Sequence, residues 1–318
     1  MTSTPGTEIV RFADIQDAAR RIAGIAQRTP VLTSRSFDRE AGITTFFKCE
    51  NMQRGGAFKI RGAANFIFSI PPDDRARGVV AFSSGNHAQA VAIAAREAGM
   101  KATLVMPEDA PKAKLDATRA QGPAIVSYNR FKDDREALGA KVAAETGATL
   151  VPPYDHPLII AGQGTAAKEL LEDVPDLDAL VVCIGGGGLI SGSSIAAKAL
   201  NPSIRIFGVE PELANDTYLS LRAGERIGIA PPDTIADGLR SPKPGLLTFP
   251  IIQRHVESIM LVSEDEIRAA MRFLLTRLKI LVEPSGAVAA AAVLFHKLPA
   301  DVKRAGVILS GGNMDLDI

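Results

Sequence analysis

Cysteine is scarce in this 318-residue chain: only Cys49 and Cys183 occur, each inside a short apolar run. Two such thiols do not build a disulfide framework or a cysteine-rich metal site, and they read as buried residues of a protein kept in a reducing compartment. Surplus charge of either sign is also absent. Lysine plus arginine and aspartate plus glutamate both number 36, so the formal net charge is zero and nothing points to nucleic acid or an anionic membrane. No apolar run reaches the roughly 18 residues of a membrane span. The opening residues, Met1 to Glu8, lack the basic and apolar regions of a secretory signal. These absences predict a cytoplasmic protein with a small-molecule partner and no membrane or nucleic-acid partner. Internal repeats and low-complexity linkers are missing too, and a hydrophobic fraction of 46% is ordinary for a chain of two lobes.

Short apolar runs alternate with helical patterns. Strands are expected at 45–50, 79–83, 102–106, 124–128, 179–184, 205–210, 259–262 and 306–309. Amphipathic helices are expected at 12–27, 88–98, 133–146, 166–173 and 264–278, with Ser263 and Glu266 forming a capping box before the last. This alternation predicts an α/β protein with mostly parallel sheets. The Pro/Gly-rich stretch 228–245 reads as a long surface loop.

Glycines fall at telling places. Ser83-Ser84-Gly85-Asn86-His87, Gly185-Gly186-Gly187-Gly188-Leu189 and Ser310-Gly311-Gly312-Asn313 each follow an apolar strand, at the edge of an open α/β sheet where ligands bind. Four successive glycines before a helix expose backbone N–H groups to a phosphate, and they are costly without such a reason. No Gly-Lys-Ser/Thr follows them, so the Walker loop is excluded, and Gly-x-Gly-x-x-Gly fails in every register. In Ser83 to His87, hydroxyls and N–H groups suit a substrate carboxylate, although Ser and Asn are also ordinary helix caps and His87 an ordinary packed residue. A fourth segment, Arg54-Gly55-Gly56-Ala57-Phe58-Lys59, sets a lysine after a glycine pair at a helix start. Taken alone this suits a solvated lysine. Beside the other three segments it suits a lysine whose pKa is lowered for Schiff-base chemistry.

With these segments in this order, the chain resembles the fold-type II pyridoxal-phosphate enzymes, in the branch of serine racemase, serine/threonine dehydratase and 3-hydroxyaspartate dehydratase. Further marks are Thr29-Pro30 before an early strand, Lys59-Ile60-Arg61-Gly62, Ala161-Gly162-Gln163-Gly164-Thr165, Thr234 to Gly238 and Glu283-Pro284-Ser285-Gly286. The resemblance spans about residues 12–316. It implies two open twisted, mostly parallel sheet domains, tryptophan synthase β-like, with the cofactor between them: a large cofactor-binding domain of residues 1–70 and 157–318, and a small substrate-closing domain of 71–156. Lys59 would bind pyridoxal 5'-phosphate and remove the substrate Cα proton. Gly185, Gly186, Gly187, Gly188 and Leu189 would hold its phosphate, Asn86 its 3-hydroxyl and Ser310 its ring nitrogen. A neutral serine there weakens the electron sink and favours prompt loss of a β-hydroxyl. A homodimer is implied as well.

Within the branch, Ser84 is shared with racemases and 3-hydroxyaspartate dehydratases, where many threonine dehydratases carry alanine. It reads either as a second acid/base facing Lys59 or as a carboxylate-binding hydroxyl, with Ser83, Gly85, Asn86 and His87 as its neighbours. Glu210, the Ala214 carbonyl and Asp216 are hard oxygen ligands matching the divalent-cation site of the racemase branch, for Mg²⁺ or another cation such as Ca²⁺ or Mn²⁺. Arg135 resembles an arginine that meets a second substrate carboxylate, its alternative being an exposed helical residue. The chain ends soon after Ser310, so no isoleucine-feedback domain is expected. The resemblance thus implies a dehydratase of a 3-hydroxy amino acid, with 3-hydroxyaspartate first and L-threonine and L-serine close behind. A serine or aspartate racemase and a non-catalytic α/β binding module are the alternatives.

Overall fold

A computed structural model describes residues 9–83, 85–129 and 132–315. Its strands are β1 (Val31–Leu32), β2 (Thr44–Cys49), β3 (Val79–Phe82), β4 (Ala102–Pro107), β5 (Ala124–Tyr128), β6 (Thr149–Leu150), β7 (Ala179–Cys183), β8 (Arg205–Pro211), β9 (Ser258–Val262) and β10 (Arg304–Leu309). They form a six-stranded sheet in the order β1-β2-β10-β7-β8-β9 and a four-stranded sheet in the order β5-β4-β3-β6. Only β1 runs antiparallel to its neighbour; the other pairs are parallel. Parallel strands need helical crossovers on both faces, which explains why β3 and β7 are buried along their whole length. The four strands of the smaller sheet fall within residues 71–156.

The helices are α1 (Phe12–Arg21), α2 (Arg35–Ala41), α3 (Lys59–Phe68), α4 (Asn86–Glu97), α5 (Lys112–Arg119), α6 (Arg135–Thr146), α7 (Pro157–Asp173), α8 (Gly188–Leu200), α9 (Asp216–Ala223), α10 (Thr248–His255), α11 (Glu264–Phe273) and α12 (Pro284–Leu294). Every residue of α12 from Ser285 to Leu294 is buried, as expected of a helix that is apolar all round. Among the described residues, none of the helices is long and apolar enough to cross a membrane.

Three helices depart from the sequence pattern. The first stops at Arg21, not near residue 27, because the chain turns through Gly24 at φ 80°. The helix expected at 166–173 already begins at Pro157. Its glycines hide the helical pattern and serve packing instead: a Cβ on Gly162 would lie 2.5 Å from the Arg61 carbonyl oxygen, and one on Gly164 would lie 2.6 Å from that of Gly192. Through these contacts α7 touches the backbones of α3 and α8. The helix at 264–278 keeps its predicted capping box, then widens into a π-helical turn, Leu274–Leu278, ending on Lys279 at φ 61°.

Candidate active site

Lys59 opens α3. Gly55 and Gly56 before it adopt φ of 75° and 70°, conformations that glycine takes without strain. This turn is stitched to the end of β10: the Phe58 N–H donates to the Ser310 carbonyl at 3.0 Å, and the Gly312 N–H to that of Gly56 at 2.8 Å. One hydrogen-bonded unit therefore positions both Lys59 and Ser310. The Lys59 ammonium donates to the Pro153 carbonyl at 2.9 Å. Burial lowers its pKa from 10.5 to about 8, so an appreciable fraction is free amine near neutral pH.

The tetraglycine follows β7, and Gly187, at φ 92°, caps the N-terminus of α8. The Thr248 hydroxyl donates to the Gly186 carbonyl at 2.7 Å. A Cβ on Gly186 would sit 2.4 Å from three ring atoms of Tyr154, and one on Gly188 would sit 3.0 Å from the Tyr154 Cβ. Close approach, as well as conformation, thus demands glycine. The first-turn N–H groups of α8 have no intrahelical acceptor, which together with the helix dipole suits a phosphate.

Asn86, at the start of α4, is tied to the turn before Lys59 through Asn313, whose amide also donates to the Gly55 carbonyl at 2.7 Å. The Asn86 amide nitrogen donates to Glu283 Oε1 at 2.5 Å, and its carbonyl accepts from Asn313 at 3.0 Å. A primary amide has a second N–H, available to a phenolic oxygen. The Ser310 hydroxyl lies 3.4 Å from the Ser285 carbonyl, a weak bond that a better partner would displace. Lys114 of α5 reaches across to Asp237 at 2.7 Å and Glu283 at 3.0 Å. Its stem lies where a Cβ on Gly85 would be, 2.4 Å from Cδ.

Residues 22–311 match the model of the family described as "Pyridoxal-phosphate dependent enzyme". The chain belongs to this family of pyridoxal-phosphate-dependent enzymes. It is 50% identical over 305 residues to the L-threo-3-hydroxyaspartate ammonia-lyase of Saccharomyces cerevisiae, covering 96% of this chain and 94% of that protein. Against the serine racemase of Schizosaccharomyces pombe the identity is 47%, over 96% of this chain and 95% of the relative. The solved structure of maize serine racemase superposes with a TM-score of 0.94 at 44% identity, covering 97% and 95% of the two chains.

For a pyridoxal-phosphate-dependent enzyme the residues present fit the cofactor: a desolvated amine on Lys59, a glycine cradle at a helix N-terminus, and the Asn86 and Ser310 side chains beside them. Ser84 lies outside the described residues. Its neighbours are placed: the Ser83 hydroxyl accepts from the Gly85 N–H at 3.2 Å, and the His87 ring bonds to the Val151 carbonyl at 3.1 Å. Burial, with Lys59 nearby, lowers the His87 pKa to about 3, so the ring is neutral. Arg135 is half-buried, its guanidinium 5.9 Å from the centre of the Phe82 ring, beside Ser83. Cys49 and Cys183 are both free and buried.

Glu210, Ala214 and Asp216 form a separate site where β8 leads into α9, and all three are buried. The Glu210 carboxylate accepts from the N–H groups of Thr217 at 3.2 Å and Tyr218 at 2.8 Å. Neither oxygen of Asp216 has a hydrogen-bond partner among the described residues. Burial and the charge of Asp216 push the Glu210 carboxyl well up, and burial raises Asp216 to about 7. No group of three or more His, Cys, Asp or Glu side chains suited to a metal occurs among the described residues, so a third protein ligand here would be a carbonyl such as that of Ala214. Two buried, mutually repelling carboxylates, with both Asp216 oxygens orphaned, fit a divalent cation.

Sequence reasoning missed the roles of Lys114, Asp237, Tyr154 and the Pro153 carbonyl. Asp237 and Glu283 did lie in segments that mark the resemblance, Thr234 to Gly238 and Glu283 to Gly286, but without a role attached to either side chain.

Proposed function

We propose that this enzyme is a dehydratase, an ammonia-lyase that expels the β-hydroxyl of a 3-hydroxy amino acid, with 3-hydroxyaspartate as the preferred substrate and L-threonine and L-serine behind it. The observation that carries this reading is the meeting in one site of the lowered-pKa amine of Lys59 and the neutral hydroxyl of Ser310. Pyridoxal phosphate, when bound, supplies an electrophilic carbonyl for the substrate amine and an electron sink for the pair released at Cα. Lys59 takes the Cα proton. Ser310 would meet the ring nitrogen of the bound cofactor with a neutral hydroxyl, which, unlike an aspartate, would favour loss of the β-hydroxyl over storage of charge. The first-turn N–H groups of α4, from Asn86 and His87, bind the α-carboxylate, and Ser84 protonates the leaving hydroxyl or binds that carboxylate. The released enamine tautomerises to an imine, which water hydrolyses to a 2-oxo acid and ammonia, oxaloacetate in the case of hydroxyaspartate.

Arg135 favours a substrate with a second carboxylate, in keeping with the relative named L-threo-3-hydroxyaspartate ammonia-lyase. The reading includes Mg²⁺, or another divalent cation, on Glu210, Ala214 and Asp216, and a homodimer. It also takes residues 71–156 as a small domain closing on a larger one. Product analysis with PLP-loaded protein tests it: equal yields of keto acid and ammonia are expected, whereas accumulation of the opposite enantiomer would favour a racemase.

A further inference from the structure

The tetraglycine is gripped from behind. The Gly186 carbonyl accepts the Thr248 hydroxyl at 2.7 Å and, more weakly, the Gly245 N–H at 3.4 Å. No cis peptide occurs among the described residues, so the Gly186 carbonyl and the Gly187 N–H, which share one planar trans unit, point in opposite directions. Holding the carbonyl on the Thr248 side therefore turns the Gly187 N–H to the other side. Gly187 is buried, yet no acceptor among the described residues meets its N–H. A buried backbone donor without a partner is rare. This one stands at the head of α8 beside the first-turn N–H groups, where an anion supplies the missing acceptor.

Thr248 is itself fixed on several sides. It is fully buried and packs on Gly187, where a Cβ would lie 2.8 Å from its hydroxyl oxygen. Its carbonyl accepts from the Ser191 hydroxyl of α8 at 3.3 Å. Its N–H donates to the Asp155 carboxylate at 3.2 Å, and the same carboxylate accepts the N–H groups of Leu246 and Leu247, both at 2.8 Å. Asp155 thus caps α10 from a distant part of the chain, where α10 has no side-chain cap of its own. Gly245 lets these groups meet: a Cβ there would sit 2.6 Å from the Thr248 hydroxyl and closer still to Asp155. Two residues before Asp155, the Pro153 carbonyl accepts from Lys59 at 2.9 Å. One short linker therefore reaches both the amine and the support of the tetraglycine.

We propose that Thr248, held by Asp155, is a positioning residue for the cofactor phosphate: it fixes the Gly186 carbonyl and, through the shared peptide plane, aims the Gly187 N–H at the anion. This rests on the reading of the tetraglycine as the phosphate cradle and deepens it. Donation to the carbonyl also polarises the peptide and strengthens its N–H as a donor.

The test compares apoprotein binding of PLP with that of pyridoxal, which keeps the aldehyde and lacks the phosphate. Both are followed by the absorbance of the Lys59 adduct. Thr248→Val removes the donor and keeps the shape, whereas Thr248→Ser keeps the donor. Thr248→Val is expected to raise the Kd for PLP about tenfold, the worth of a hydrogen bond to a charged group, and to leave that for pyridoxal within about twofold. Thr248→Ser should stay within about threefold of wild type for both. An unchanged PLP Kd in Thr248→Val, or equal weakening of PLP and pyridoxal, would overturn the proposal. Inorganic phosphate tests the underlying reading separately, since it should compete with PLP on the wild type. If it does not, the cradle reading falls and the proposal with it. Competition on the wild type with no selective loss in Thr248→Val overturns the proposal alone.

Discussion

The amide of Asn86 and the carboxylate of Glu283 meet at 2.5 Å although 197 positions separate them in the chain. Asn86 opens a helix of the smaller sheet, and Glu283 caps α12 beneath the larger one. Burial pushes the Glu283 carboxyl up, and Lys114 opposes that shift. The two sheets are thus joined through buried charge at the edge of the cofactor site.

Lys114→Met should therefore leave Glu283 without its cation and destabilise the protein by about 3–5 kcal/mol, the usual penalty for breaking a buried pair from one side. Adding Glu283→Gln should recover part of that loss, which urea denaturation of the single and double variants would measure. A strictly additive pair would contradict the coupling.

Lys59 gives a pH prediction for the cofactor-free protein. Its folded pKa of about 8 lies below the 10.5 of an ordinary lysine. Between these values the unfolded chain binds the additional proton, so this group's contribution to stability rises with pH across that window. Lys59→Met should therefore melt above wild type at pH 7, with the gap closing towards pH 10.5. The rate of pyridoxal-phosphate capture by wild type should climb with pH to a midpoint near 8 and then level off, and the variant should capture none covalently.

Gly162→Ala probes the contact of α7 with α3. The added methyl would meet the Arg61 carbonyl at 2.5 Å, where backbone on both sides resists movement. A loss of at least about 2 kcal/mol is expected in denaturant unfolding. Gly42→Ala, with open space around it but φ of 73°, should cost less, about 1 kcal/mol from strain alone.

These contrasts show what the sequence could and could not disclose. Strand-to-helix glycine loops such as 185–188 were legible because conformational cost and phosphate chemistry both leave local marks. The start of α7 was not, because glycines chosen for tertiary approach look like helix breakers in one dimension. The two-residue strands β1 and β6 are too short to show periodicity. Lys114, Asp237 and Tyr154 acquire their roles only when the two sheets face each other. No local pattern distinguishes Lys114 or Tyr154 from solvated or core residues, and the marked segment around Asp237 does not disclose its ion pair with Lys114.

The carboxylates Glu210 and Asp216 predict a response to divalent cations. Mg²⁺ well above its Kd should raise the melting temperature by about 5 °C over an EDTA-treated sample, since a hundredfold excess over Kd contributes about 2.7 kcal/mol. Asp216→Asn should remove the response while leaving pyridoxal-phosphate absorbance in place. A variant that still responds would locate the cation elsewhere.

The most direct test is keto-acid release from purified, PLP-loaded protein offered L-threonine, L-serine, D-serine and each 3-hydroxyaspartate stereoisomer, with Mg²⁺ and with EDTA. The expected result is a kcat/KM for one hydroxyaspartate isomer at least about tenfold above that for serine or threonine, reduced by EDTA. A preference for serine or threonine that EDTA leaves unchanged would contradict the roles given to Arg135 and to the Glu210–Asp216 site.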